Sequence, residues 1–363
     1  MKIVIAGNYG AKNIGDEMIL DGMLTMVSAV FPNGEITVLS ADPQQTVESH
    51  GAKHKFVVPL KAVRPFPAGL RSFFSYLFSH GNETKKAVKE CDLFILGGGG
   101  LFGSLKFMAN IIWGIQAFKA YSYGKKVWMY GQSIGPLGGG ITTFIVKRLF
   151  NKSALIAVRD KFSKDELMRI GVVKEIQVIP DMAFRTAAET AAHSIIKKNL
   201  VIALRAMENL PDNFISNVAE FVNFLISEKS FTCTIINFQE GIGSDEFLHN
   251  ELLDLITDKT KISYQKDPDF HDSFVLGMRL HSIIAAIKSN TPFIAINYAA
   301  KMKNMLNDEE LSEYLIEIGD LSTEKLKEIF SKIELGQAVI SEKLAQICQK
   351  NLALHLEHEK SLK

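Results

Sequence analysis

Five side chains in the second half of the chain are of the types that handle a small anion. Arg205 closes the run VIALR, Arg279 and His281 stand in GMRLHS, and Tyr298 and Lys301 belong to AINYAAK. A guanidinium pairs in a bidentate way with a carboxylate or a phosphate. An imidazole passes protons near neutral pH. Three cations, an imidazole and a phenol at three successive strand ends suit a compact, anionic small molecule. For His281 a second role stays open, a helix-start hydrogen bond that positions Arg279.

The first half offers glycine, amide and carboxylate instead. GNYGAKNIGDE (7–17) contains Asn13, Asp16 and Glu17 where a loop runs into a helix. A helix start presents unpaired N–H groups to an anion or a polar substrate. The two acids can equally cap and charge-balance the first turn. GGGGLFG (97–103) holds Gly98, Gly99 and Gly100 and formally matches GxGxxG. A dinucleotide fingerprint belongs in the first strand-to-helix turn, with an acid about 20 residues on. Here the next strand ends in Tyr130-Gly131-Gln132-Ser133, with no acid, which argues against NAD. The glycines then serve close backbone approach to a ligand or a packed crossover. Gln132 and Ser133 add hydrogen-bonding groups at that next strand end. Arg159 and Asp160 read as a structural pair, and Asp181 either faces a cleft or holds a turn.

The elements that must position these residues alternate strand, loop and helix. Apolar runs at 2–6, 36–39, 55–58, 93–96, 127–130, 155–158 and 176–179 read as strands buried on both faces. Helical patterns fill 16–30 and 109–123, and Ser163 to Glu166 reads as a capping box with Gly171 as the stop. The pattern weakens over 186–199 and then restarts with strands at 200–204, 232–237, 274–276 and 293–296. The expectation is an α/β chain of two Rossmann-like domains, 1–185 and 200–322, facing a cleft. The stretch 186–199 would be the linker and 323–363 C-terminal helices. In such sheets ligands sit beyond the carboxyl ends of the strands.

The composition narrows the partners. With 41 basic and 40 acidic residues the net charge is +1, so no global field points to nucleic acid. Cys91, Cys233 and Cys348 are too few and too scattered for a disulfide framework or a zinc-binding CxxC pair, and a reducing, cytoplasmic setting is expected. No run approaches the roughly 20 apolar residues of a membrane-spanning helix. The segment RPFPAGLRSFFSYLFSHG (64–81) mixes aromatic and basic residues. It is a candidate for peripheral membrane contact or an ordinary buried helix.

In this order, GNYGAKNIGDE, LFILGGGGLF, GQSIGP, AVRDKFS, VIPDMAF, ALR, GMRLHS and the downstream Tyr298-x-x-Lys301 resemble the polysaccharide pyruvyl transferase family. The resemblance covers roughly residues 3–305. It implies a two-domain fold like that of GT-B glycosyltransferases, and transfer of pyruvate from phosphoenolpyruvate to a sugar as a ketal, on a surface polysaccharide or its lipid-linked precursor at the inner membrane face. That chemistry requires no metal and no organic cofactor. On this reading Arg205, Arg279 and Lys301 clamp the donor, with Tyr298, Asn13, Gly98, Gly99, Gly100, Gln132 and Ser133 as further binding groups. His281 serves as acid or base, and Asp16 or Glu17 deprotonates the acceptor hydroxyl. Between Tyr264 and Ser273 the chain carries only QKDPDFHD, shorter than is usual for the family, which bears on the acceptor. Two rivals fit the same architecture: a nucleotide-sugar glycosyltransferase, and a non-catalytic sugar- or phosphate-binding protein.

Overall fold

Short continuous apolar runs such as KIVIA and NLVIA become parallel strands with helices on both faces. Alternate residues of the first strand feed different cores: Ile3 and Ile5 join one apolar cluster, Val4 and Ala6 the other. Each large apolar side chain so buried contributes about 1.5–3 kcal/mol. The computed structural model describes residues 1–54, 56–67, 81–103, 107–186, 198–241, 243–266 and 270–363. Two compact units emerge, Met1–Thr186 with Leu352–Lys363, and Ala187–Asn351.

Unit 1 runs β1 (Lys2–Ala6), α1 (Ile14–Val30), β2 (Glu35–Leu39), α2 (Pro43–Lys53), β3 (Lys61–Val63), α3 (Gly81–Glu90), β4 (Leu93–Phe102) and α4 (Phe107–Ser122). It continues with β5 (Lys126–Ile134), α5 (Ile141–Lys152), β6 (Leu155–Val158), α6 (Lys161–Arg169) and β7 (Gln177–Val178). The parallel strands stand in the order β3-β2-β1-β4-β5-β6-β7. Unit 2 runs β8 (Asn199–Ala203), α7 (Phe214–Lys229), β9 (Thr232–Ile235), α8 (Glu246–Asp254), β10 (Ile262–Tyr264) and β11 (Phe274–Gly277). It goes on through α9 (Leu280–Lys288), β12 (Phe293–Asn297), α10 (Ala300–Asp308), β13 (Leu315–Glu317) and α11 (Thr323–Lys360). Its order is β10-β9-β8-β11-β12-β13, again all parallel. Both sheets are therefore Rossmann-like, with the order reversing between β1 and β4 and between β8 and β11.

Several expectations need correction. The third strand is β3 at Lys61–Val63, not 55–58. It is an edge strand with little burial, so its sequence signal is faint. β4 does not stop at Leu96 but runs through the glycines to Phe102, with a register shift against β5 between Gly99 and Phe102. Helix α6 is capped by Asp160, whose carboxylate accepts from the Ser163 amide at 2.6 Å. The Ser163 hydroxyl is spent elsewhere, accepting from the Ile134 amide at 2.8 Å. The tail is one 38-residue helix, α11, whose first part belongs to unit 2 and whose end belongs to unit 1. Phe330 anchors its start among Phe221, Phe231 and Phe274. Near its end, Glu359 holds Arg185 and His355 donates to the Asp181 carbonyl at 3.1 Å. Most of the linker and of the 64–81 segment lies outside the described residues, as do 267–269 of the short connection. No helix among the described residues is long and apolar enough to cross a membrane.

Candidate active site

In unit 2 the central strands β8, β11 and β12 deliver Arg205, Arg279 and Tyr298 from adjacent carboxyl ends. The Arg205 guanidinium lies over the Tyr298 ring, 4.6 Å from its centroid, and its Nη1 donates to the Tyr298 hydroxyl. The ring face and the hydroxyl orient the cation without neutralising it. Among the described residues no carboxylate pairs with Arg205.

Arg279 is held differently. It is the N-cap residue of α9. Gly277 lets the chain turn tightly before it, since a Cβ there would come within 2.5 Å of the Ser282 hydroxyl and 2.6 Å of Ile283. Nε and Nη2 of Arg279 both donate to Asp245, the former at 3.1 Å, and the Asp245 side chain is fully buried. The same carboxylate accepts from the Ala206 amide at 3.3 Å and the Gln239 amide at 3.1 Å. A buried ion pair survives only with such complete hydrogen bonding. It spends two of the five guanidinium donors and fixes the plane of the rest.

His249, one turn into α8, completes the support. Its Nε2 accepts from the Leu204 amide at 3.1 Å, and its Nδ1 lies 2.6 Å from the Asn237 side-chain oxygen. Burial first, and the Arg279 charge second, push its pKa down to about 4. The neutral ring therefore holds the backbone just before Arg205 in place. His281 is half-buried in the first turn of α9, and Lys301 is exposed in the first turn of α10.

In unit 1 the loop after β1 closes on itself. Asn13, not either acid, caps α1 by accepting from the Asp16 amide at 3.1 Å. That leaves the acids for other partners. Asp16 accepts from Asn8 at 2.8 Å. Glu17 accepts from the Gly10 amide at 2.8 Å and pairs with His50 at 2.8 Å. Burial alone would lower the His50 pKa, but its hydrogen bonds to Asp21 and Glu17 outweigh it and raise the value to about 9. Tyr9 is buried and donates to the Gly97 carbonyl at 2.7 Å, joining the β1 loop to β4.

The glycine run serves close approach. Gly98 has φ +79°, and a Cβ there would fall 2.2 Å from Ile19. A Cβ on Gly99 would lie 3.1 Å from an Asp16 carboxylate oxygen, so that carboxylate stands over bare backbone. Gly100 is exposed. Gln132 is fully buried and donates to the Leu96 carbonyl at 2.7 Å, while its Oε1 has no hydrogen-bond partner among the described residues. Ser133 donates to Asp160 at 2.9 Å. Arg159 pairs with Asp181 at 2.7 Å, Asp181 also accepts from the Ala183 amide, and Asp160 caps α6, which gives Arg159, Asp160 and Asp181 a scaffolding role.

The profile of the polysaccharide pyruvyl transferase family matches residues 13–299. The chain belongs to this family. It is 24% identical to the amylovoran biosynthesis protein AmsJ of Erwinia amylovora over 88% of this chain and 89% of that protein. UDP-GlcNAc 2-epimerase from Neisseria meningitidis shares the fold, with a TM-score of 0.61 at 8% identity, covering 100% of this chain and 99% of the epimerase. A glycosyltransferase from Rickettsia africae does so with a TM-score of 0.59 at 13% identity, covering 99% and 98%. The architecture is thus that of GT-B transferases and these epimerases, and the protein is a pyruvyl transferase with a saccharide acceptor.

Within this pyruvyl transferase, Arg205, Tyr298 and Arg279 come together as strand-end neighbours, as do Asn13, Asp16, Gly98 and Gly99 in unit 1. Asp245 and His249 escaped the sequence reading. The signal for them was an acid opening a helix two residues after a glycine, and a histidine four residues on, the same helix face. Nothing local distinguishes that pattern from an ordinary cap, because their partners lie 34 and 45 residues away.

Proposed function

We propose that this pyruvyl transferase takes pyruvate from phosphoenolpyruvate and closes a ketal across two hydroxyls of an exopolysaccharide sugar, on the polymer or its lipid-linked precursor. The observation that carries the reading is the Arg205–Arg279 pair. One arginine is held rigid by a buried carboxylate and the other carries a charge that no described carboxylate offsets. A donor with a carboxylate and a phosphate matches two such cations at adjacent strand ends. Lys301, in the first turn of α10, is assigned to the phosphate side.

In the reaction, a proton is added to the methylene carbon of phosphoenolpyruvate, and His281 is assigned as its source. The central carbon becomes cationic and a sugar oxygen bonds to it, its proton passing to a base, assigned to Asp16. The bond from that carbon to the phosphate oxygen then breaks and phosphate leaves with the electron pair. A second hydroxyl of the same sugar bonds to the carbon and loses its proton, which completes the ketal.

Calorimetric titration with phosphoenolpyruvate and, separately, with UDP-sugars tests the donor. Binding of phosphoenolpyruvate that weakens about 10- to 100-fold in Arg205→Ala supports the reading, the range set by a charge-assisted bond of about 1.5–3 kcal/mol. Binding of a UDP-sugar alone would overturn it.

A further inference from the structure

A second cluster in unit 1 takes no part in the chemistry above. Helix α1 carries Glu17 and Asp21 four residues apart, and α2 carries His50, with His54 as its C-cap residue. Residues four apart share a helix face, so the two imidazoles point the same way. Nδ1 of His50 lies 2.7 Å from Asp21 Oδ1, and Nε2 of His54 lies 3.0 Å from the same oxygen. The three ligand atoms all fall within 4.8 Å of one another. The Asp21, His50 and His54 side chains are 8%, 4% and 14% exposed.

Two imidazoles and a carboxylate suit zinc and its neighbours cobalt and nickel, and not magnesium or calcium, which prefer all-oxygen sites. A second feature points the same way. The far nitrogen of His50, Nε2, lies 2.8 Å from Glu17 Oε2. A carboxylate on the far nitrogen of a ligating histidine fixes its tautomer and ring orientation. Here Glu17 would fix Nε2–H and direct the Nδ1 lone pair at the other two ligands.

We propose that Asp21, His50 and His54 form a site for one zinc-like divalent ion, with Glu17 as the orienting carboxylate. The ion replaces the hydrogens now shared between Asp21 and the two rings. Ligand bonds of about 2.0 Å put tetrahedral ligand atoms about 3.3 Å apart, so Asp21 draws back by roughly half an ångström. The Lys53 ammonium, which sits on the other Asp21 oxygen, must leave, and its side chain is 60% exposed and able to swing into solvent. Water completes the coordination from that side. The ion would tie α1 to α2 and, through the bond from Gly10 to Glu17, stiffen the loop after β1. This site is independent of the donor assignment.

Cobalt(II) added to the metal-stripped full chain tests it. One equivalent binding at micromolar concentration or tighter, with the visible absorption of four-coordinate cobalt and displacement by zinc, is the expected result. His54→Ala should weaken binding at least tenfold, and Glu17→Gln about 10- to 100-fold. Should His50→Ala fail to fold, His54→Ala at the partly exposed helix end supplies the decisive variant, its fold checked by circular dichroism. Absence of stoichiometric cobalt binding to the wild-type chain, or binding unchanged in His54→Ala, overturns the proposal.

Discussion

Between β1 and β4 the chain places a buried tyrosine, a run of glycines and two acids; between β8 and β11, in the same strand order, it places two arginines. The first switch point is closed by short backbone contacts: Tyr9 on Gly97, Gly10 on Glu17, Asp16 over Gly99. The second is organised by charge, with Arg279 clamped by Asp245 and Arg205 steadied by Tyr298. Shared wiring thus supplies a location and leaves the chemistry to the residues at the strand ends. Glycine brings backbone amides and a carboxylate close to a polar, uncharged group such as a sugar. Arginine answers an anion. The first switch point thus rests on close backbone approach and the second on charge.

The sharpest way to break this comparison is Arg279→Ala. It should abolish phosphoenolpyruvate binding and cost about 3–5 kcal/mol in urea unfolding, because Asp245 is left buried without its partner. Arg279→Gln combined with Asp245→Asn should recover part of the stability and none of the binding. Intact affinity in Arg279→Ala would remove the donor from unit 2.

Next in size is a pH effect. The folded-state pKa of His249 is about 4, below its ordinary value of about 6.5. The unfolded chain therefore takes up a proton that the folded chain refuses as the pH drops below about 6.5. Stability from this group is complete above that pH and is lost as the pH falls toward 4, by about 3 kcal/mol. Melting curves of the wild type and His249→Gln, compared from pH 7 to 4, should show a shallower acid loss in the variant. Equal acid sensitivity would mean that His249 is not the neutral support of Arg205.

A smaller effect probes unit 1. Gly98→Ala forces a side chain into a left-handed backbone and against Ile19. It should cost about 1–3 kcal/mol while leaving phosphoenolpyruvate affinity unchanged. A tenfold loss of that affinity would blur the division between the units. Smallest is Tyr9→Phe, which leaves the Gly97 carbonyl without its donor and should lower stability by about 0.5–1.5 kcal/mol, read from the urea midpoint.

The alternation of strand and helix, the parallel sheets and the strand-end motifs were legible in the sequence. Buried parallel strands are continuously apolar, and turns, caps and close approaches demand glycine, asparagine and aspartate at particular steps. Arg205, Arg279 and Tyr298 could be named because they directly follow such strands. Less was legible where the code is weak. β3 and β13 are three-residue edge strands, and the glycines of β4 hide a strand that parallel pairing with β5 sustains. The tertiary structure alone decided which charges are held and which are offered. Asp245 meets Arg279 across 34 residues, Tyr298 meets Arg205 across 93, and His50 meets Glu17 across 33. Local periodicity reaches only a few residues along the chain, whereas strand order brings distant residues to one edge. So the sequence by itself determined the scaffold and the kinds of groups at its strand ends, and the folding of the two sheets decided their pairing.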